Sequence, residues 1–155
     1  MKVVKKLLCL VLCLLCTVPL SGCGGILLAG IAALSDDRAD KTAIISYVKD
    51  NESTLVECIK KNDFTQLNKN KIIKEINGKN DFVEFYCGGA GFGSATSYRG
   101  FYYSENDDMT SIWCASEVDK LSPAGGGYEW HEKDGDDSYY TEIICGHFYY
   151  YDASY

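Results

Sequence analysis

The stretch FVEFYC, Phe82-Val83-Glu84-Phe85-Tyr86-Cys87, sets Val83, Phe85 and Cys87 against Glu84 and Tyr86 in alternation. A period of two places the first three side chains on one face of a strand and the other two on the opposite face. Valine, phenylalanine and tyrosine also fit a pleated surface well. Just upstream, residues 71–76 alternate weakly and Asn77-Gly78 opens a turn, so the two runs are expected to be neighbouring antiparallel strands.

The same texture continues downstream. Residues 97–104 (SYRGFYYS) read as a strand with aromatic side chains on both faces, and residues 105–108 as the next turn. TSIWCA, residues 110–115, is a short apolar strand or turn around Trp113, and Pro123 with Gly125-Gly126-Gly127 is expected to be a mobile loop. Residues 128–133 and 138–145 form a hairpin around Asp134-Gly135-Asp136-Asp137, and a last strand, residues 147–151, follows a bend at Gly146. Upstream, over residues 38–62, Ile44, Val48, Leu55 and Ile59 recur at three- and four-residue steps with Ala43, Tyr47 and Cys58 beside them. That pattern predicts an amphipathic helix, with a break possible only at Asn51-Glu52-Ser53. The expected fold is therefore α+β: one long or two short N-terminal helices packed on an antiparallel sheet of about five or six strands.

Charge is unevenly spread. Residues 35–100 hold ten basic and ten acidic side chains, whereas in residues 101–155 only Lys120 and Lys133 oppose twelve carboxylates. An acidic half of this kind repels nucleic-acid phosphates and anionic headgroups, which argues against nucleic acid as a partner.

The first residues have a different character. Lys2, Lys5 and Lys6 precede a run without charge that begins at Leu7 and lasts to Ser35. A basic start followed by an apolar core is the order of a secretory signal. At its end Leu20-Ser21-Gly22-Cys23 resembles the lipobox of bacterial lipoproteins. The resemblance covers residues 1–23 only. It implies removal of residues 1–22, a diacylglyceryl thioether on Cys23, an apolar lipidated tether over residues 23–35 and a single extracytoplasmic domain over residues 36–155. The protein would then sit on the outer face of a bacterial cell membrane, held by its acyl chains without spanning the bilayer. An uncleaved transmembrane anchor is the rival reading, which Pro19, Gly22, Gly24, Gly25 and Gly30 interrupt.

Past Cys23, four cysteines remain: Cys58, Cys87, Cys114 and Cys145. An even number in an exported chain makes them candidates for one or two disulfides, with buried thiols as the alternative. Without a Cys-x-x-Cys pair they do not suggest a metal site. Tyrosine is abundant, with eleven of the twelve at or after Tyr86. Its broad apolar face and polar tip suit sugar stacking and protein interfaces, so Phe92, Tyr98, Tyr102, Tyr103, Tyr149, Tyr150 and Tyr151 are a candidate binding surface. The plainer reading is cross-strand packing within the sheet.

Other patterns carry less. The glycine-rich residues 88–94 (GGAGFGS) fit neither phosphate-binding spacing and are expected to form a turn or bulge lining a pocket. Asp134-Gly135-Asp136-Asp137 lacks the spacing of a calcium loop. On an unbroken strand Cys145 and His147 would share a face, as a nucleophile pair or a two-ligand metal site requires, but Gly146 weakens that geometry, and the carboxylates Glu84, Glu129, Glu132 and Glu142 select no hydrolytic pair. Arg99 is expected to pair with a neighbouring acid. No cofactor, metal or catalytic residue is assigned. The function expected is a non-catalytic, membrane-anchored module binding a protein, peptide or glycan. An envelope hydrolase, or an inhibitor or immunity-type lipoprotein steered by its acidic face, are the alternatives.

Overall fold

The structure, a computed structural model, describes residues 37–67, 71–79, 81–92, 95–115 and 118–155. The signal, Cys23 and the tether lie outside the described residues.

One helix, α1 (Lys41–Lys61), runs unbroken. Asp40 caps it by accepting hydrogen bonds from Thr42 N at 2.9 Å and Ala43 N at 3.3 Å, satisfying two amides that have no carbonyl a turn earlier. Asn62, with φ 50°, ends it in the left-handed region. Of the two alternatives, one long helix is observed and not two short ones broken at Asn51-Glu52-Ser53. Asn51 returns its side-chain amide to the Tyr47 carbonyl at 2.8 Å, and Glu52 reaches toward Gly146.

Among the described residues seven antiparallel strands follow, not five or six: β1 (Glu75–Lys79), β2 (Phe82–Phe92), β3 (Ala95–Ser104), β4 (Ser122–Ala124), β5 (Gly127–His131), β6 (Ser138–Cys145) and β7 (Phe148–Ser154). They lie side by side in the order β1-β2-β3-β7-β6-β5-β4, so two meanders join where β7 returns beside β3. The expected α+β class is observed. The additional strand is β4, residues read as mobile loop. Pro123 is tolerated there because β4 is an edge strand with a partner only in β5. Much of the glycine-rich run likewise extends β2, through a register shift between Tyr86 and Gly89. Gly88 has φ 115° and lies against the chain entering α1, where Asp37 N bonds Gly89 O at 3.1 Å and Ala39 N bonds Cys87 O at 2.9 Å. A side chain at Gly88 would collide with the Asp37 carbonyl.

The sheet is covered on both faces. On one, Ile44, Val48, Leu55, Cys58 and Ile59 of α1 pack on Val83, Phe85, Cys87, Phe101, Phe148 and Tyr150. On the other, the connection from β3 to β4, with a short 3₁₀ turn at Trp113–Ala115, lays Ile112, Cys114 and Ala115 over Tyr102, Tyr139, Tyr149, Tyr151 and Ala153. We call this connection the strap. Irregular backbone leaves carbonyl groups that no ladder satisfies, and tyrosine is the side chain that can bury a ring and still donate to them. Tyr139 donates to Met109 O at 2.9 Å, and Tyr155 donates to Cys114 O. Tyr102, Tyr139 and Tyr155 thus serve a sheet covered by a strap in place of a second helix. Among the described residues no helix is long and apolar enough to cross a membrane.

Candidate functional site

Pairing of β1 with β2 sets Glu75 opposite Tyr86 and Asn77 opposite Glu84, and pairing of β2 with β3 brings Tyr98 alongside at Gly89. Their side chains share the strap face, where Trp113 descends from the 3₁₀ turn. Glu75, Asn77, Tyr86, Tyr98 and Trp113 line a cleft of about 390 Å³. The rings are mutually inclined. Tyr98 meets Trp113 edge-on with centroids 5.1 Å apart at 74°, and Tyr86 and Tyr98 lie 6.3 Å apart at 54°. Tyr155 buttresses the indole from behind, stacked at 6.2 Å. Trp113 nevertheless leaves 53% of its surface in solvent, unlike its buried neighbours Ile112, Cys114 and Ala115.

Beneath the indole lies Glu84, 3% exposed. Trp113 Nε1 donates to its Oε1 at 3.3 Å and the Tyr151 hydroxyl donates to the same oxygen at 2.7 Å. Burial pushes the Glu84 carboxyl above its ordinary range, hydrogen bonds from Tyr151, Trp113 and Asn77 pull it part of the way back, and the nearby Glu75 charge adds to the rise. Tyr86 is also raised, first by burial and then by the charge of Asp37. The cleft therefore combines aromatic walls, an exposed carboxylate and a buried one, which is equipment for holding a ligand.

The residues expected to form an aromatic surface divide. Tyr98 lines the cleft. Tyr102, Tyr149, Tyr150 and Tyr151 are buried, which corrects the expectation that they present a binding surface: β7 is the central strand, β3 lies beside it, and both their faces are covered. Tyr103 is half-buried on the helix side against Phe148 and His147, and the Phe92 side chain lies outside the described residues. Trp113, Glu75, Asn77 and the role of Glu84 were not singled out by the sequence. A lone tryptophan in an irregular segment was the one available signal.

The expected disulfides are not formed either. Cys58, Cys87, Cys114 and Cys145 are free thiols. Cys58 accepts from Gln66 Nε2 at 2.9 Å and Cys87 donates to Phe85 O at 3.4 Å, both in the helix-side core, while Cys114 belongs to the strap on the opposite face. Cys145 turns toward Glu52, whereas His147 bonds Asp107 Oδ1 at 2.8 Å, so the two do not act on each other. Among the described residues no group of three His, Cys, Asp or Glu side chains converges for a metal ion. Arg99 pairs with Asp152, as foreseen, through Nε at 2.9 Å and Nη2 at 2.6 Å.

A second cavity, of about 420 Å³, opens on the helix face between Arg38, Lys41, Arg99, Tyr140, Tyr150 and Asp152. Its cations are already engaged: Arg99 with Asp152, Lys41 with Glu142 at 2.8 Å, and Arg38 with Ser97 Oγ at 2.9 Å. These bonds fasten the start of α1 to the sheet, and the cavity is the smaller claim to a site despite its size. Compared with family models, curated proteins and solved structures, the chain matches none.

Proposed function

We propose that this chain is an exported, lipid-anchored binding module without catalytic function, tethered through Cys23 at the outer face of a bacterial membrane, and that its ligand is a protein, peptide or glycan segment engaged by the Trp113 cleft. The observation that carries the reading is the indole of Trp113: it is half exposed between the buried strap residues Ile112, Cys114 and Ala115, and hydrogen bonding to Glu84 and stacking on Tyr155 hold it in a fixed orientation. A rigid aromatic side chain loses little entropy on contact, which is why such residues anchor interfaces. The acidic C-terminal half adds long-range attraction for cationic partners.

Two experiments test it. Intact mass of the chain made in a bacterial host, with and without Cys23→Ser, reads the anchor directly: a processed, diacylglyceryl-bearing species that the variant loses is expected, and retention of residues 1–22 overturns the tether. Titration of peptidoglycan fragments, oligosaccharides and peptides against intrinsic tryptophan fluorescence reads the cleft. A ligand whose binding is lost in Trp113→Ala, with far-UV circular dichroism unchanged, is expected; binding that survives the substitution moves the site elsewhere.

A further inference from the structure

Resting on the reading of the Trp113 cleft as the binding site, we propose that the group it holds is an alkylammonium cation. Three features of the cleft point to this chemistry. Its aromatic walls are set at 74° and 54° to one another and so form the sides of a corner. A sugar ring prefers a flat platform, whereas a compact cation is attracted to the faces of several inclined rings at once. The charged groups at the cleft are carboxylates: Glu75 lines it, Glu84 lies directly behind the indole, and no lysine or arginine is among the lining residues. Finally, the indole N–H is bonded to the Glu84 carboxylate. An anion at that position polarises the ring toward a more negative face, which strengthens its attraction for a cation.

The energetics of Glu84 agree with this. The carboxylate is buried with neutral donors, Tyr151, Trp113 and Asn77, and without a cationic partner among its hydrogen bonds. A buried charge so placed is costly, and a cation seated against Trp113 would supply the missing opposite charge. The cleft volume of about 390 Å³ accommodates an ammonium headgroup with its substituents, whether on a free small molecule or at the end of a lysine side chain.

The full-length chain, held in a sugar-free polyoxyethylene detergent, is titrated with choline, with its neutral isostere 3,3-dimethylbutan-1-ol and with Nα-acetyl-lysine methylamide, while the Trp113 indole N–H resonance is followed. Choline or the lysine amide is expected to shift that resonance with an affinity about tenfold above the isostere, the margin a desolvated cation–π contact supplies. Whichever cation binds more tightly assigns the source. Glu75→Gln, at an exposed position that does not endanger folding, is expected to shrink the preference for the cation, and Trp113→Ala to abolish binding. Affinities of choline and the lysine amide that both fail to exceed that of the isostere overturn the proposal. So does a resonance that ignores both cations but moves with an oligosaccharide, an outcome that leaves the binding cleft itself standing. A resonance that nothing moves overturns the cleft and the cation together.

Discussion

Tyr151 donates its hydroxyl to Glu84 Oε1 over 2.7 Å, and both side chains are buried beneath the strap. Because burial raises the Glu84 carboxyl above 4.5, the folded state holds its proton to higher pH than the unfolded state does. Stability contributed by this group is therefore full below about pH 4.5 and falls as pH rises through the folded pKa. Glu84→Gln keeps an oxygen for Tyr151 and Trp113 and removes the charge, so urea denaturation at neutral pH is expected to show a variant as stable as the parent or more so. Tyr151→Phe strips a donor from a buried carboxylate and is expected to cost about 1–3 kcal/mol near pH 7, with a smaller loss in acid. A Glu84→Gln variant much less stable than the parent at neutral pH would contradict this account.

The free thiols lead to a second expectation. Burial pushes Cys87 up to about 12 and raises Cys114 as well, and Cys145 is raised first by burial and then by the Glu52 charge. Thiols that rarely ionise do not react. Iodoacetamide at pH 8 should label the native domain slowly and the urea-unfolded chain fully, and reductant should leave the melting temperature unchanged. Loss of a native disulfide would instead cost about 2–5 kcal/mol, so a melting point that drops with dithiothreitol would show that the thiols pair.

How far the sequence could be read depends on which physical signal each part carries. The α1 stripe of Ile44, Val48, Leu55 and Ile59 and the alternation in β2 were legible because each has one face in a core. Strands β3 and β7 were harder, since Tyr102 and Tyr149 to Tyr151 pack on both sides and alternation between apolar and polar residues disappears. Composition then suggests an exposed aromatic surface where the structure has a two-sided core. The strap was legible only as turns, at residues 105–108 and around Trp113, for a related reason: residues 105–115 have no period, and what lays them on the sheet is tertiary, namely tyrosine hydroxyls bonded to Met109 and Cys114 carbonyls. The cleft inherits that difficulty, because Trp113 comes from the strap while Glu75, Asn77, Tyr86 and Tyr98 come from three strands brought together only by register.

Gly100 provides a test of the two-sided packing. It sits opposite Tyr151 on β7, and a methyl group there would approach the Phe85 carbonyl to 2.4 Å and the Tyr151 ring to 2.8 Å. Replacing a strand glycine ordinarily costs nothing, but this one makes room for the ring that reaches Glu84. Gly100→Ala should destabilise the domain by about 1–3 kcal/mol through overpacking, and an unchanged denaturation midpoint would mean that Tyr151 has another place to go.

Lys41 and Glu142 carry the last prediction, concerning the bond between α1 and the sheet. Lys41 Nζ lies 2.8 Å from Glu142 Oε2 and over the rings of Tyr140 at 4.8 Å and Tyr150 at 5.0 Å, while Tyr140 also donates to that oxygen. Burial alone would raise the Glu142 carboxyl, but the bonds from Lys41 and Tyr140 outweigh it and hold it below 4.5. A depressed carboxylate stabilises above its unfolded pKa and loses that contribution as pH falls through the folded one, the opposite sign to Glu84. Lys41 is 40% exposed, so screening keeps the pair modest. A double-mutant cycle of Lys41→Met and Glu142→Gln is expected to give a coupling of about 0.5–1 kcal/mol at pH 7. As pH falls through the depressed folded pKa of Glu142 that coupling should vanish, because a protonated Glu142 no longer attracts the ammonium. Coupling that persists in acid would assign the contact to the lysine stem and the two rings, and would leave the carboxylate without a part in fastening the helix.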